Sequence, residues 1–325
     1  MTASPAPLAS FIAPLPAHAV ISASGADALA FLHGQLTNDV IGLGPQAARL
    51  GGYCTAKGRL LASMVYWHAQ PAQDGQPPTV LMLVRRDLAE ALLKRLRMFV
   101  LRAKVVLALT DLQVHGVQAA GDAARQALRD ALQALPGQAP WQRTELPGGT
   151  WIAAPAAGSG VSRWWWIASP GQAQAGAALP LPAAPAQAWH EADIAAGLPW
   201  IGAPTQDLFI PQTVNLDLIE GVSFNKGCYP GQEVVARSHY RGTVKRRMGY
   251  GRLAAGAQAA LQAGTDIYQA GQPDEPCGRV VDAAGDALLF EAPLPAQQDA
   301  DLRLGAADGP AIAVQALPYP LAKAQ

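Results

Sequence analysis

Cysteine is scarce. Cys54, Cys228 and Cys277 are the only three in 325 residues, each stands alone, and no CxxC occurs. An odd count without paired spacing supports neither a disulfide framework nor a zinc ribbon, and no metal ligand set is expected. It fits a reducing compartment. Charge is also sparse, at 15% of the chain, with 24 Lys and Arg against 24 Asp and Glu. A net charge of zero excludes a polybasic nucleic-acid coat and an acidic tail, though not a local basic patch. No Lys or Arg precedes Arg49, so neither the positive start of a secretory leader nor the arginine-rich face of a transit peptide is expected. Long apolar runs are missing as well. The longest charge-free stretch, Trp164 to His190, contains Pro170, Pro180, Pro182 and Pro185 and several glutamines, too polar and broken to span a bilayer. These absences predict a soluble, cytoplasmic protein without a membrane partner.

What is present is apolar bulk. Half the residues are hydrophobic, enough for a sizeable core and too many for a disordered linker. The length corresponds to about two domains at roughly 150 residues each. Residues 18–24 alternate like a short strand, and Ser24 is placed to cap a helix reaching Leu36, with Leu29, Leu32 and Leu36 on one face. Strands are expected at 53–55 and 60–67 around a turn at Lys57-Gly58, and at 79–84, with a loop at 70–78 between them. Asp87 and Glu90 form a capping-box variant ahead of a helix that stacks Leu88, Leu92 and Leu96. Two strands are expected in 98–118 and a helix at 121–134. Residues 135–149 and 170–188 look loose. They flank an aromatic strand in which Trp164 and Trp166 point one way and Trp165 the other. From about residue 243, short strand-like runs alternate with glycine turns, as in a small β-barrel. The expected class is α+β with an all-β C-terminal module.

Residues 207–242 carry the densest chemistry. At their centre stands KGCYPGQE, residues 226–233. Two glycines and a proline impose a defined loop and let a ligand approach the main chain. Lys226 lies two residues from Cys228, where an ammonium stabilises the nucleophilic thiolate. The competing readings are a small buried hydrophobe for Cys228 and a solvated surface group for Lys226. Charge concentrates here too. Lys226, Arg237, Arg241, Lys245, Arg246, Arg247 and Arg252 face only Glu233, seven against one, a net +6 within 27 residues. This is either a site for an anion, such as RNA phosphate or a carboxylate-bearing small molecule, or a set of cations balanced by acids elsewhere in the fold.

KGCYPGQE, followed by VVAR and RG, resembles the signature of the YgfZ family of folate-binding proteins, relatives of the glycine-cleavage T-protein (aminomethyltransferase). GADALAFLHGQLTNDV (25–40), AKGRLL (56–61), EADIAAGLPWI (191–201) and FIPQTVNLDLIEGVSFN (209–225) occur in that family's order. The resemblance implies a T-protein-like ring of subdomains. Residues 1–240 would form a folate-binding region of two interleaved subdomains, and residues 241–325 a C-terminal β-barrel. It implies tetrahydrofolate, or another reduced folate, as cofactor. It also implies a role in iron–sulfur cluster assembly or repair that supports tRNA-modifying enzymes, with iron–sulfur proteins or their assembly machinery as partners. The family's loop maps onto Lys226, Gly227, Cys228, Tyr229, Gly231, Gln232 and Glu233. Cys228 and Lys226 are the candidate catalytic pair, and Arg237 is a candidate for folate carboxylates. An aromatic that contacts folate corresponds to Trp189, for which core packing is the competing reading. A second tryptophan position holds His18, a poorer stacking surface. T-proteins carry an acidic pair after the glycine matched by Gly58, but no carboxylate lies in residues 50–70, and the folate-contacting glutamate falls near Ala195. Glycine-cleavage activity is therefore not expected. A folate-dependent one-carbon or aminomethyl transferase and a non-enzymatic tRNA-binding module using residues 226–252 remain as alternatives.

Overall fold

The computed structural model describes residues 9–69, 75–175, 179–240, 244–254, 256, 261–299 and 301–321. Residues 70–74 of the expected loop lie outside that set. Three antiparallel sheets organise the chain. The first, in spatial order β1-β7-β10-β9-β8, contains β1 (Phe11–Pro14), β7 (Gln113–Ala120), β8 (Arg143–Leu146), β9 (Gly149–Ala154) and β10 (Val161–Ala168). The second, in order β3-β4-β5-β2-β6, contains β2 (His18–Ser24), β3 (Ala48–Cys54), β4 (Leu60–His68), β5 (Thr79–Arg85) and β6 (Val106–Leu109). Since β1 pairs with β7 while β2 enters the other sheet, the two regions are interleaved along the chain. The third sheet has order β15-β12-β13-β14-β11-β16. It comprises β11 (Arg246–Leu253), β12 (Asp266–Gln269), β13 (Gly278–Ala284), β14 (Ala287–Pro293), β15 (Leu302–Leu304) and β16 (Ile312–Gln315). A bridge between Arg303 and Ala311 draws its two edges together into a nearly closed barrel.

The helices are α1 (Ala28–His33), α2 (Arg86–Val100), α3 (Gly121–Leu132), α4 (Pro170–Ala175), α5 (Ala186–Ala195), α6 (Gln232–Tyr240) and α7 (Leu294–Asp299). The helix expected from Ser24 is shorter and starts later. Ser24 stays in β2 and shares a hydrogen bond of 2.8 Å with the Thr79 hydroxyl. Gly25 takes a φ of 141°, and a side chain there would press on the main chain at Lys104 and Val105, so the chain turns before it coils. In α2, Leu88, Leu92 and Leu96 are buried as their spacing requires. Asp87 makes no capping bond and instead accepts the Ala203 N–H at 3.0 Å. The stretches that look loose contain β8 and α4.

The tryptophans of β10 follow the pleat. Trp164 and Trp166 enter one apolar cluster with Trp151, whereas Trp165 enters the main core beside Trp189 and Trp200. Below them Arg163 and Asp193 form a sealed ion pair at 2.6 Å. Trp200 Nε1 donates to the same carboxylate at 2.9 Å, and the guanidinium sits 4.0 Å over the Trp189 ring. Burial lowers the Arg163 pKa and raises that of Asp193 against their mutual attraction. The barrel is tied to the rest through Arg247, which meets Asp217 at 2.6 and 3.1 Å. Asn215 exchanges hydrogen bonds with the Met248 backbone, and His190 pairs with Asp282 at 2.9 Å.

Candidate functional site

The 226–233 loop rests on two parts of the fold from earlier in the chain. Helix α1 ends after six residues and leaves carbonyls without helical partners. The Lys226 ammonium donates to two of the exposed acceptors there, His33 O and, at 2.9 Å, Leu36 O. A cation at a helix C-terminus is also favoured by the helix dipole. Burial nevertheless pulls the Lys226 pKa down to about 8. The ammonium lies 4.8 Å from the centre of the Tyr229 ring, whose phenol is pushed up by burial. The second support is the β3–β4 hairpin. Gly231 has a φ of 80° and Gly58 a φ of 74°, and they meet back to back. A Cβ on Gly231 would lie 2.6 Å from Gly58 Cα, and one on Gly58 would lie 2.9 Å from Val234 Cβ. The AKG and PGQ segments are thus two halves of one contact. Between these anchors Cys228 is exposed. A Cβ on Gly227 would meet nothing nearer than His33 Nε2 at 3.9 Å, so the backbone there is open to approach. Gln232 begins α6 and its N–H reaches Tyr229 O at 3.2 Å. Glu233 and Arg237 project from the same helix into solvent.

Two hollows lie alongside. The larger, about 840 Å³, is lined by residues of 38–50, 139–142 and 217–225 and by His239 and Tyr240. The smaller, about 440 Å³, is lined by Lys226 and Gly227 and shares Asp39, Ser223 and Asn225 with the first. The loop therefore lines the smaller hollow, which adjoins the larger across Asp39, Ser223 and Asn225. Their frame is the segment Leu36 to Asp39. Thr37 accepts the Gly52 N–H and donates to Gly221 O, both at 2.7 Å. Asn38 donates to Leu50 O at 2.9 Å and to Glu220 O at 2.6 Å.

The recess has flat walls and a polar end. Trp141, Phe224 and Tyr240 line it, and Phe224 stacks on His239 with centroids 3.7 Å apart. Trp141 is backed by Trp165, stacked at 6.1 Å, which in turn meets Trp189 edge-on at 5.9 Å. The carboxylates differ in their commitments. Asp217 is held by Arg247. Asp39 pairs with His33 at 3.0 Å and Arg49 at 3.2 Å and accepts the Gly42 N–H. Burial opposes its charge, but those partners outweigh it and lower its pKa. Glu220, at a φ of 62°, is exposed to solvent, and its carboxylate has no hydrogen-bond or ion-pair partner among the described residues. It is the open acceptor of the recess.

Several expected site residues lie elsewhere. Trp189 is 0% exposed, packed between Arg163 and Trp165, and lines neither hollow. Gly116 makes room for it, since a Cβ there would lie 2.7 Å from Trp189 Cγ. His18 is buried edge-on against Trp200 at 4.8 Å. Burial keeps it neutral, and nearby Arg85 adds to that. The basic segment divides: Arg246, Arg247 and Arg252 pair with Glu291, Asp217 and Asp286, and Arg237 and Lys245 are exposed. Arg241 lies outside the described residues. Cys54 is buried and its thiol is pushed up to about 12. Among the described residues no group of three or more His, Cys, Asp or Glu is placed to hold a metal ion. Sequence reasoning missed Trp141, Glu220 and Phe224. The NLDLIEGVSFN run contains two of them, but only the fold brings Trp141 and Tyr240 to the same wall.

No family model matches the chain. The tRNA-modifying protein YgfZ of Yersinia pseudotuberculosis is 32% identical over 320 residues, which cover 94% of this chain and 91% of that protein. The chain belongs to the YgfZ family. YgfZ of Pectobacterium carotovorum is likewise 32% identical, over 91% of this chain and 87% of its own. The solved glycine cleavage system aminomethyltransferase T of Bartonella henselae superposes with a TM-score of 0.69 over 97% of this YgfZ chain and 87% of its own, at 16% identity. The fold is T-protein-like. Among the described residues no helix is long and apolar enough to cross a membrane.

Proposed function

We propose that this chain binds a reduced folate in the large recess and, through the adjoining Lys226–Glu233 loop, acts as an accessory protein for iron–sulfur enzymes, those that modify tRNA among them. The observation that carries the reading is the recess itself: about 840 Å³, walled by Trp141, Phe224 and Tyr240, with the Glu220 carboxylate unpartnered. A pterin is flat and presents a row of N–H donors on one edge. Aromatic faces suit its rings, and a carboxylate suits its donors. Tetrahydrofolate brings reduced ring amines able to carry one carbon. The chain's part is to hold the rings and keep an exposed thiol and a lysine of lowered pKa at the rim.

Family membership and the T-protein-like fold support the folate assignment. Trp189 contributes from behind, by bracing Trp165 against Trp141. Two observations favour an accessory role over aminomethyl transfer. The hairpin after Gly58 offers no carboxylate, and Ser63 is occupied with Pro199 O at 3.1 Å and the Ile201 N–H at 2.9 Å. A purely RNA-binding role is less well supported, since three arginines of the basic segment are already paired. Titration calorimetry with tetrahydrofolate tests the reading. Wild type binds, while Glu220→Gln and Trp141→Ala each weaken binding by about tenfold or more, the scale of one lost charge-assisted contact. Unchanged affinity in both variants would remove the recess from the argument.

A further inference from the structure

A second cleft, about 410 Å³, opens where the β3–β4 hairpin turn meets the barrel, and it shares no lining residue with the folate recess. Three guanidiniums converge on it from three separate segments: Arg59 from the hairpin, Arg246 from β11 and Arg279 from β13. Each is held in place. Arg59 donates through Nη1 to Leu208 O at 2.6 Å. Arg246 uses Nε and Nη2 on Glu291 and Cys277 O. Arg279 uses Nε and Nη2 on Asp266. Each also keeps donors in reserve. Nη2 of Arg59 and Nη1 of Arg246 and of Arg279 have no partner among the described residues.

The charge balance favours an anion. Three guanidiniums face two carboxylates, Asp266 and Glu291, and both carboxylates are already taken up by arginines. One positive charge is left over, and it resides on groups whose fork matches an oxyanion. The arginines are positioned by the protein before any ligand arrives, so little side-chain entropy is lost on binding. The floor is apolar, formed by Leu208, Phe209 and Ile210, and the volume lies in the range of small-molecule sites. We infer that this cleft binds a phosphoryl group, borne either on a small organic phosphate or on the end of an RNA strand. A phosphoryl group is drawn by the spare positive charge and brings three terminal oxygens to the spare donors of the three arginines, where a carboxylate brings two.

Calorimetry on the full chain at physiological salt tests this with four probes. These are inorganic pyrophosphate, adenosine 5′-monophosphate, and a short RNA with or without a 5′-phosphate. Wild type is expected to bind pyrophosphate, with Arg59→Gln and Arg279→Gln each weakening it by about tenfold, as for a lost charge-assisted contact. Tetrahydrofolate binding should stay unchanged in both variants, so this inference and the folate reading fail separately. A preference for the monophosphate assigns the site to a free organic phosphate. A preference for the phosphorylated RNA over its 5′-hydroxyl form assigns it to a strand end. Arg59 is exposed, so its variant should melt with wild type, and that melting curve guards against misreading an unfolded protein. No binding of either phosphate by wild type at millimolar concentration overturns the inference. So does equal pyrophosphate affinity in wild type and in the Arg59→Gln, Arg279→Gln double variant.

Discussion

Residues 226–240 and 246–252 look alike in sequence, since both are studded with cations, yet the fold uses them in opposite ways. In β11 the cations are paired with acids. Arg247 is buried against Asp217 and Gln212 O, and Arg246 is clamped to Glu291. In the loop and α6 the groups stay available: Cys228, Glu233 and Arg237 face solvent, and Lys226 lies at the rim of the recess. The difference comes from the partners. β11 is paired on both sides, with β14 and β16, so its cations meet acids fixed by the sheet and by residues 212–217. The loop is anchored by the helix carbonyls, by buried Tyr229 and by the glycine contact. Charge density in a sequence therefore marks a functional surface only where the fold leaves the charges unmatched.

The sharpest way to break this comparison is Arg247→Ala. Removing one partner of a buried pair leaves Asp217 charged and unmatched, at a cost of about 3–5 kcal/mol. Urea unfolding should register that loss, while Arg237→Ala should leave the midpoint where it was. Similar stability in the two variants would erase the distinction between the segments.

Gly231→Ala comes next, because it attacks the anchor and not the charges. At a φ of 80° with Gly58 in contact, an alanine strains the backbone and displaces the hairpin, costing about 1–3 kcal/mol. Gly227→Ala should be nearly neutral in urea, since its space is open. If it nevertheless weakens tetrahydrofolate binding, the recess extends to the loop backbone.

How far the residues alone foretold this follows from what each signal measures. Alternation reports which face of a strand is buried, so β2 and the split of Trp164 and Trp166 from Trp165 were readable, while β5 was readable as an apolar run. Cap signals report local options, and tertiary contacts overrode them at Ser24 and Asp87. Composition marked 143–146 as loose because a four-residue strand lends too few positions to show a period. The site was half visible. The loop's glycines and thiol lie within eight residues, but Trp141 and Glu220 are 79 residues apart and line one recess only in the fold, Glu220 tied through Asn38 and Trp141 through the Ala48 N–H. Trp189 was placed at the ligand by its position in a motif, whereas the Gly116 notch and Arg163 hold it in the core.

A third test uses pH on the barrel side of the comparison. Burial alone would lower the His190 pKa, but Asp282 at 2.9 Å raises it above the ordinary 6.5. A histidine held above its unfolded value stabilises the fold fully below pH 6.5 and loses that contribution as pH rises through the folded pKa. Thermal melts should thus decline on the alkaline side of neutrality, and Asp282→Asn should flatten that part of the profile. Lys226 has the opposite sign. Burial holds its pKa near 8, below the unfolded 10.5, so its contribution improves between those values.

The smallest expected effect on stability is the most informative about function. Cys228 is exposed and no described hydrogen bond involves it, so Cys228→Ser should shift the urea midpoint by no more than about 0.5 kcal/mol. It should also leave tetrahydrofolate affinity intact, since the thiol does not line the recess. In a strain lacking this protein, the same variant should fail to restore the activity of iron–sulfur enzymes if the proposed function holds, since that reading gives the exposed thiol a chemical and not an architectural task. Alkylation supplies the control: iodoacetamide should modify Cys228 in the native protein and spare buried Cys54 until unfolding. Full complementation by Cys228→Ser would move the loop's task to Lys226 and the open backbone at Gly227, and it would make the thiol incidental to function.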